Sequence, residues 1–500
     1  MPAVRKVLIA NRGEIAVRII RTCRAMGVST VAVSSEADTD ALHVRLADEA
    51  VLIGPPPARE SYLVVEKLLD AAKQTGADAV HPGYGFLAEN ARFAAAVGEA
   101  GLTFIGPSPQ AIATMGDKVA ARTLMEKAGV PVVPATPVLD PDPAVFARAA
   151  EGLGFPVVIK AAAGGGGKGM RIVRRVEDLA EAVAGASREA TSAFGDGRIY
   201  LERYLERPRH VEVQVFADTH GTVVHLGERE CSIQRRHQKI VEQSPSPAVD
   251  ATLRAAMTDA GIRAAAAVDY VGAGTIEFLL DEQGRFYFLE MNTRLQVEHP
   301  VTEWITGLDL VREQILVARG ERLSFQDLTP RGHAIECRLY SEDPAHGFLP
   351  ATGTVHVLGE PSGAWVRFDS GITAGSRIGV EYDPLLAKLS TFGATRDEAR
   401  TRMLAALRET VLLGVTTNRD YLAAVLAHPA FASGATHTEF LAEHFAGWTP
   451  PAGRHADVAA ALAALALAGP AARRDDGASA AALPTPWESL GPWRPGANTR

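Results

Sequence analysis

Hydrophobic and polar positions follow strand-like and helix-like patterns in turn along the N-terminal part of the chain. Lys6–Ala10 reads KVLIA, a short apolar run of the kind found in buried strands. Glu14–Met26 carries apolar residues at helical spacing, and Gly27 follows as a stop signal. Ser29–Ser34 is strand-like again. Strand, helix and strand in this order predict a parallel, doubly wound α/β sheet.

The pattern changes after about residue 115, where a helix is predicted over Lys118–Ala128. Short strands that are expected to pair antiparallel follow at Pro156–Ala161, Arg171–Val173, His210–Ala217 and Thr222–Gly227. A second α+β region is predicted from about 330 to 445, with a helix near Arg396–Leu412. The Ala/Pro/Gly/Arg-rich tail, Thr449–Arg500, holds one candidate helix, Ala456–Ala468, and is otherwise predicted to be a linker.

Composition and charge narrow the classes of function. The 500 residues are 47% hydrophobic and 22% charged, which is ordinary for a soluble globular protein. The formal net charge of -8 lacks the basic balance that favours nucleic-acid binding. Basic residues cluster locally instead, at Arg235–Lys239. Such a cluster in an acidic protein is either a solvated face or a site for a small anion.

The cysteines and the N-terminus bear on the cellular compartment. Cys23, Cys231 and Cys337 are far apart and form no CxxC pair, so neither a disulfide framework nor a zinc site is predicted. The N-terminus shows no signal or transit pattern. The longest apolar stretch is too short to span a bilayer. The cytoplasm is therefore the predicted location.

A lysine and a glycine-rich loop suggest a phosphate site. The predicted strand Val157–Lys160 ends in lysine and runs towards the loop Gly164–Gly169, which reads GGGGKG. Each interior glycine costs roughly 0.5–1 kcal/mol relative to alanine, so this run indicates a functional demand. Backbone N–H groups of such a loop can approach an anion, and the loop can open and close. It is not a Walker A motif, because Gly169 rather than Ser or Thr follows Lys168.

A predicted hairpin brings two carboxylates together. Thr275–Leu280 and Phe286–Asn292 are strand-like, and Gln283-Gly284 is predicted to be a two-residue turn between them. That register places Glu277 directly opposite Glu290. Two opposed carboxylates repel each other, and a hard divalent cation between them reverses the sign. With Asn292 opposite Thr275, the metal ligands predicted on this face are Glu277, Glu290 and Asn292.

The even-numbered positions continue on the same face if the chain stays extended. Arg294 and Gln296 can hold a small oxyanion, and Glu298 can serve as a base. The residues themselves therefore predict an enzyme that uses Mg-ATP to activate a small carboxylate-like acid, with its centre between Glu277 and Glu298. Arg338, near a strand start at His333, is on its own no more than a candidate ion-pair residue.

Several segments resemble the biotin carboxylase family of ATP-grasp ligases. They are His81–Asn90, Met115–Lys118, Lys160 with the glycine loop, Arg235–Lys239, Glu290–Pro300 and Gly332–Arg338. The resemblance covers residues 4 to about 446. It implies an α/β and α+β architecture: a Rossmann-like pre-ATP-grasp domain (1–114), an ATP-grasp domain (115–325) with a mobile glycine-rich lid (about 131–204), and a biotin carboxylase C-terminal domain (330–446). Residues 447–500 would be a linker or the start of a truncated linking domain.

The resemblance also implies roles for individual residues. ATP would be bound by Lys118, Lys160, Gly165, Gly166, Gly167, Glu202, Leu205, His210, Gln234 and His237. Magnesium, or manganese, would be held by Glu277, Glu290 and Asn292. Bicarbonate would be bound by Lys239, Arg294, Gln296 and Val297. Biotin would be bound by Tyr84, Glu212 and Arg338. The implied catalytic residues are Glu298 as general base, Arg338 as the group that stabilises the biotin enolate, Lys239 and Arg294.

The implied reaction is the first half-reaction of an acyl-CoA carboxylase. Bicarbonate attacks the γ-phosphate of ATP, and the carboxyphosphate so formed delivers CO₂ to biotin. The chain has no Met-Lys-Met biotinylation motif, so biotin is expected on a carrier protein or domain elsewhere. A carboxyltransferase (beta) subunit is the other expected partner, with a homodimer inside a larger assembly; no nucleic-acid or membrane partner is expected. Trp487–Arg494 resembles the start of a linking domain, which suggests a fragment of a longer α chain.

Two departures and two alternatives remain. Arg203 stands where many family members have lysine, and Tyr382–Lys388 is closer to acyl-CoA and pyruvate carboxylase chains than to stand-alone bacterial enzymes. Another ATP-grasp ligase would lack the RLQVEHP segment, Arg294–Pro300, which is present. A non-catalytic ATP-binding subunit would lack at least one of Glu277, Glu290, Arg294, Glu298 or Arg338, and all five are present.

Overall fold

The computed structural model describes residues 4–139, 142–162, 170–236, 238–325 and 328–451. The glycine loop Gly164–Gly169, His237 and the helix predicted at Ala456–Ala468 lie outside these residues. Among the helices that the structure describes, none is both long and apolar enough to cross a membrane.

The N-terminal region is the predicted parallel, doubly wound sheet. Its strands follow the order β3-β2-β1-β4-β5 and all pair parallel. The strands are β1 (Lys6–Ile9), β2 (Ser29–Ser35), β3 (Glu49–Gly54), β4 (Ala79–His81) and β5 (Thr103–Phe104). The helices are α1 (Gly13–Ala25), α2 (Leu42–Leu46), α3 (Val65–Thr75), α4 (Ala91–Glu99) and α5 (Pro109–Gly116). Ile15 and Ile19 of α1 are buried in the core, as their spacing predicts.

The central region mixes helices with antiparallel strands, again as predicted. The helices are α6 (Lys118–Lys127), α7 (Pro143–Leu153), α8 (Leu179–Phe194), α9 (Ala251–Ala266), α10 (His299–Thr306) and α11 (Leu310–Ala318). The strands are β6 (Val157–Ala161), β7 (Arg171–Val173), β8 (Ile199–Arg203), β9 (Arg209–Ala217), β10 (Val223–Arg235), β11 (Gln238–Ser244), β12 (Gly272–Leu280) and β13 (Phe286–Asn292). The strand predicted at Thr222–Gly227 is only the first part of β10, which is 13 residues long.

The C-terminal region adds many short strands and four helices. The strands are β14 (His333–Tyr340), β15 (Glu342–Asp343), β16 (Leu349–Pro350), β17 (Gly353–Thr354), β18 (Val357–Gly359), β19 (Val366–Ser370), β20 (Arg377–Ile378), β21 (Leu385–Gly393) and β22 (Val411–Leu413). The helices are α12 (Arg396–Glu409), α13 (Arg419–Ala427), α14 (Pro429–Ala432) and α15 (Phe440–His444). The helix predicted to reach Leu412 ends at Glu409, because Val411–Leu413 pair with β18 instead.

One eight-stranded sheet joins the central and C-terminal regions. Its order is β13-β12-β9-β10-β11-β14-β21-β19, so strands from the two α+β regions are hydrogen-bonded to each other. The bond across the sequence boundary is β11 to β14, where Glu242 lies opposite Glu336 and Val241 opposite Cys337. The three strands β7-β6-β8 form a separate small sheet. The shared sheet places side chains from both regions along one cleft.

Candidate active site

One large cleft, with a volume of about 1060 Å³, is lined by all three regions of the chain. Most of the predicted site residues line it: Tyr84, Lys118, Lys160, Glu202, Leu205, His210, Gln234, Lys239, Glu277, Glu290, Asn292, Arg294, Gln296, Val297 and Arg338. Glu212 and Glu298 are fully buried and are bonded to Lys239, which lines the cleft. Gly165, Gly166, Gly167 and His237 lie outside the residues that the structure describes. The sequence motifs are therefore brought together in space.

The hairpin of β12 and β13 has the predicted cross-strand partners. Glu277 lies directly opposite Glu290, and Thr275 lies opposite Asn292. The amide Nδ2 of Asn292 donates to Glu277 Oε1 at 2.8 Å, so both side chains are on one face, as the strand period requires.

The predicted turn of this hairpin is wrong, although the pairing is correct. The Asp281 N–H donates to the Arg285 carbonyl at 2.9 Å, so the loop has one residue more than predicted. Gly284 takes φ +76°, the left-handed position that such a loop requires. Leu289 then forms a bulge, because the ladder steps from Glu277 to the next pair without it. The bulge cancels the register shift that the longer loop introduces.

Charged residues form a row across four neighbouring strands. Arg229 of β10 pairs with Glu212 of β9, which pairs with Glu277 of β12, which pairs with Glu290 of β13. Arg229 is completely buried, with 0% of its surface exposed, and its Nε donates to Glu212 at 2.6 Å. Neighbouring carboxylates in a sheet repel each other, so this row is stable only with compensating cations.

Lys239 supplies that compensation at the centre of the site. Its Nζ donates to Glu212 at 2.6 Å, to Glu277 at 2.8 Å and to Glu298 at 2.7 Å. Burial alone would lower the pKa of Lys239, but these three carboxylates hold it well above its usual value. The lysine is therefore a fixed positive charge that an incoming anion can share.

Glu277 and Glu290 differ sharply in environment. Burial would raise the pKa of Glu277, but Lys239 and His210 hold it far below its usual value, with His210 Nε2 at 2.8 Å. Glu290 lines the cleft, so its side chain is open to solvent there, while protein surrounds it elsewhere. That surrounding protein and the charge of Glu277 raise the pKa of Glu290. Among the described residues, no hydrogen-bond donor reaches the Glu290 carboxylate.

These residues fit a divalent cation. Glu277 and Glu290 offer carboxylate oxygens from opposite strands, and Asn292 offers an amide oxygen from the same face. Burial and repulsion from Glu277 raise the pKa of Glu290, and a cation beside it would relieve that repulsion. Hard oxygen ligands of this kind, with substrate phosphates, are what Mg²⁺ prefers. A second acidic group, His210 with Glu212 and Glu277, already has Lys239 in contact with both carboxylates.

Glu298 lies between two cations. Its Oε1 accepts from Lys239, and its Oε2 accepts from Arg338 Nη2 at 2.9 Å. Burial would raise the pKa of Glu298, but Lys239, Arg338 and Arg229 hold it well below its usual value. The carboxylate is therefore ionised and carries no proton at neutral pH.

Arg338 is held by a residue that the motif analysis missed. Its Nε donates to Glu242 Oε1 at 2.5 Å, and both side chains are buried. Glu242 lies 96 residues before Arg338 in the chain, so no local spacing indicates the contact. Only the pairing of β11 with β14 brings the two together.

Arg294 is positioned by another residue that sequence reasoning missed. Its Nε donates to Glu89 Oε2 at 2.8 Å, and its Nη2 donates to Asn292 Oδ1 at 2.9 Å. The other oxygen of Glu89 accepts from the Thr293 N–H at 3.0 Å. Glu89 is in the segment His81–Asn90 that carries the family resemblance, which was the available signal. Gln296 Nε2 donates to Glu277 at 3.0 Å.

The predicted nucleotide residues line the same cleft. Lys160 of β6 forms an ion pair with Glu202 of β8. His210 Nε2 lies 2.8 Å from Glu277 Oε2, and its Nδ1 lies 2.8 Å from Gln234 Nε2 in a hydrogen bond. These contacts bring the predicted ribose residues next to the metal ligands. Leu205 and Lys118 also line the cleft.

The residues predicted to bind biotin are in two different environments. Tyr84 lines the cleft, and its hydroxyl has no hydrogen-bond partner among the described residues. Glu212 is fully buried and bonded to Lys239 and Arg229. Its direct contact with biotin stays a prediction, while its observed contacts fix the orientation of Lys239.

Comparison with known proteins identifies the family. Three family models match in chain order: "Biotin carboxylase, N-terminal domain" over residues 3–112, "Carbamoyl-phosphate synthase L chain, ATP binding domain" over 117–326, and "Biotin carboxylase C-terminal domain" over 336–443. A biotin carboxylase of Halalkalibacterium halodurans is 53% identical over 442 residues, which are 88% of this chain and 98% of that protein. The mitochondrial methylcrotonoyl-CoA carboxylase subunit alpha of Oryza sativa is 52% identical, and the match covers 60% of its length.

Solved structures of biotin carboxylases have the same fold as this chain. Biotin carboxylase from Campylobacter jejuni, in a beta-gamma-ATP complex, has a TM-score of 0.85 and 43% identity, over 88% of this chain and 99% of that one. The biotin carboxylase domain of 2-oxoglutarate carboxylase from Hydrogenobacter thermophilus, a dimer with MgADP and bicarbonate, has a TM-score of 0.83 and 45% identity, over 88% and 97%. From its family models, its relatives and its fold, the chain belongs to the biotin carboxylase family of ATP-grasp ligases.

Proposed function

We propose that the cleft carries out the ATP- and magnesium-dependent carboxylation of biotin with bicarbonate, through carboxyphosphate. The observation that carries the proposal is the position of Glu298, an ionised carboxylate with Lys239 at one oxygen and Arg338 at the other. One cation faces the metal ligands, and the other is the arginine expected at biotin. A base in that position can serve a reaction that links the two substrates.

Bicarbonate is bound where the oxyanion donors converge. Lys239, Arg294 and Gln296 supply side-chain donors that now contact protein carboxylates, and the backbone of Val297 completes the proposed set. A bicarbonate ion that takes over the Lys239 ammonium moves positive charge away from Glu298. The basicity of Glu298 then rises when the proton of bicarbonate has to be accepted.

The reaction consists of phosphoryl transfer from ATP to bicarbonate, followed by carboxyl transfer to biotin. Glu298 accepts the proton of bicarbonate, whose oxygen attacks the γ-phosphorus of ATP as ADP leaves. The carboxyphosphate breaks its C–O bond to give CO₂ and phosphate, and the phosphate takes the N1′ proton of biotin. Arg338 stabilises the enolate, and N1′ then attacks CO₂. Magnesium, held by Glu277, Glu290 and Asn292, would neutralise phosphate charge.

The nucleotide contacts are assigned to further residues that line the cleft. Lys118 and Lys160 supply positive charge for the phosphates, and Glu202 and Leu205 lie where the adenine would reach β8. His210 and Gln234 form the ribose side. Gly165, Gly166, Gly167 and His237 complete the proposed nucleotide set, and Tyr84 and Glu212 remain in the proposed biotin set.

The proposed partners follow from the half-reaction. Biotin is presented by a carrier protein or domain, and a carboxyltransferase subunit uses the carboxybiotin, with a homodimer as the proposed assembly. Support comes from relatives that are subunits of carboxylases, such as the methylcrotonoyl-CoA carboxylase subunit alpha of Oryza sativa. The cytoplasm remains the proposed location.

The test is ATP cleavage by the purified chain with and without bicarbonate, and with and without free biotin. We expect ADP release that requires bicarbonate and rises with biotin, together with carboxybiotin in the product. A panel of other small carboxylates serves as the control for a different ATP-grasp ligase. Cleavage that depends on one of those acids and ignores both bicarbonate and biotin would overturn the assignment.

A further inference from the structure

The segment between β13 and α10 carries the proposed oxyanion donors and the base, yet it has no regular secondary structure. Side chains from both neighbouring regions hold its backbone. Glu89, from the N-terminal region, accepts from the Thr293 N–H at 3.0 Å. Lys388, from β21 of the C-terminal region, donates from Nζ to the Val297 carbonyl at 2.9 Å. That carbonyl belongs to the peptide that leads into Glu298.

Lys388 is an unusual residue to bury. Only 1% of its surface is exposed, although a lysine that loses water without compensation is strongly destabilising. Its cross-strand neighbours are Arg338 on β14 and Asp369 on β19. Glu14, at the start of α1, brings a carboxylate oxygen to 3.4 Å from the ammonium. An apolar side chain would fill the same space without this cost, so the ammonium must supply something else.

Glu14 depends on the lysine in turn. It is buried, and neither carboxylate oxygen has a hydrogen-bond partner among the described residues. Burial raises the pKa of Glu14 to about 7, and Lys388 opposes that rise. Glu14 therefore takes up a proton readily when its partner is removed. The pair joins the N-terminal and C-terminal regions directly behind the base-bearing segment.

We propose that Lys388, with Glu14 as its counter-ion, is a positioning residue that fixes the Val297–Glu298 peptide and so aims the Glu298 carboxylate into the cleft. The inference rests on the proposed function of Glu298 as general base. The partners of that carboxylate among the described residues are Lys239, Arg338 and Cys231, so Lys388 does not touch it and reaches Glu298 through the Val297 carbonyl. A misplacement of about 1 Å at a reacting group can cost roughly a hundredfold in rate.

The test compares Lys388→Met with the double variant Glu14→Gln/Lys388→Met, which removes both charges and leaves neither unpaired. Bicarbonate-dependent ATP cleavage should fall about 10- to 100-fold in kcat in both variants. The KM for ATP should stay close to that of the parent, because no nucleotide contact is lost. The acid limb of the pH profile should also stay in place, because Lys388 does not contact the Glu298 carboxylate.

Two further variants serve as controls. Lys73→Met removes an exposed lysine of α3 and should leave kcat unchanged. Lys388→Arg should recover part of the lost rate, because a guanidinium can still donate to the Val297 carbonyl. Melting temperatures establish that each variant is folded.

Two results would overturn the positioning role of Lys388. A folded variant without the Lys388 ammonium that keeps kcat within about twofold of the parent would overturn the proposal, since positioning losses are far larger. A parallel loss of kcat, ATP affinity and melting temperature, or failure of both Met variants to fold, would show a structural role and also overturn it. If the parent chain itself lacks bicarbonate-dependent cleavage, the proposed function fails first, which is a distinct result.

Discussion

The eight-stranded sheet contains two pairs of glutamates that are direct cross-strand neighbours. The two pairs are in very different environments. Glu277 and Glu290 pair on β12 and β13 at the cleft, where Lys239 and His210 reach Glu277 and solvent reaches Glu290. Glu242 and Glu336 pair on β11 and β14, where both are fully buried. In that second pair Glu242 Oε2 and both oxygens of Glu336 have no hydrogen-bond partner among the described residues.

The pKa values separate the two pairs. At the cleft, the pKa of Glu277 is held far down and that of Glu290 is raised, so one carboxylate is always charged. In the buried pair, burial raises the pKa of Glu242 to about 7 and that of Glu336 well above its usual value. The same cross-strand geometry therefore favours a metal cation at the open cleft and a bound proton in the buried pair.

Glu298 connects the two pairs. Lys239 links its Oε1 to Glu277, and Arg338 links its Oε2 to Glu242. The cleft pair belongs to the nucleotide half of the proposed reaction and the buried pair to the biotin half. Substitutions in each pair should therefore damage different steps, and substitution of Glu298 should damage both.

Glu298→Gln is expected to have the largest effect. The variant keeps the shape and loses the base, so bicarbonate-dependent ATP cleavage should fall about 10²- to 10⁴-fold. ATP binding, measured by equilibrium titration, should be retained because no nucleotide contact changes. Turnover close to that of the parent would remove Glu298 from the role of base.

Glu290→Gln breaks the cleft pair. Loss of one carboxylate ligand should lower ATP cleavage at least about tenfold and raise the magnesium concentration needed for half-maximal rate. Glu282→Gln, an exposed substitution in the loop of the same hairpin, is the matched control. An unchanged magnesium requirement in Glu290→Gln would contradict the proposed ligand set.

Glu242→Gln weakens the partner of Arg338 in the buried pair. The amide oxygen can still accept from Arg338 Nε, but the charge is lost, and hydrogen bonds to charged groups contribute about 1.5–3 kcal/mol. The biotin-stimulated part of ATP cleavage should fall roughly threefold to tenfold, while cleavage without biotin should change little. Equal loss of both parts would mean that the buried pair does not act through Arg338.

Glu336→Gln should alter the pH dependence of stability more than it alters activity. The folded pKa of Glu336 is above its unfolded value, so its stabilising contribution is complete at low pH and is lost as pH rises through the folded pKa. Between about pH 5 and about pH 8 the parent should therefore lose more melting temperature than the variant, by a few degrees. Glu360→Gln, at an exposed position, is the control. Identical pH dependence in parent and Glu336→Gln would contradict the buried, protonated state.

The two pairs also differ in how far the sequence predicts them. Glu277 and Glu290 are in one hairpin, so a period of two and a short turn suffice to predict that they meet. The prediction was correct although its turn was wrong, because the bulge at Leu289 compensates for the longer loop. Local patterns predict such a pair because both strands lie in one short stretch of chain.

Local sequence patterns do not predict the buried pair. Glu242 and Glu336 meet only because β11 and β14 are neighbours in a sheet shared by two sequence regions. The same long-range pairing places Lys388 opposite Arg338 and beneath Val297. The family resemblance predicted the fold, the function and Arg338, but the residues that hold Arg338, Arg294 and Val297 emerged only from the tertiary structure.

Direct measurement of metal binding tests the contrast between the pairs most sharply. Electron paramagnetic resonance can follow Mn²⁺ binding in the presence of ADP for the parent, Glu290→Gln and Glu336→Gln. We expect Glu290→Gln to raise the Mn²⁺ dissociation constant at least about tenfold and Glu336→Gln to leave it unchanged. Equal effects of the two substitutions, or none in Glu290→Gln, would contradict the assignment of the cleft pair as the metal site.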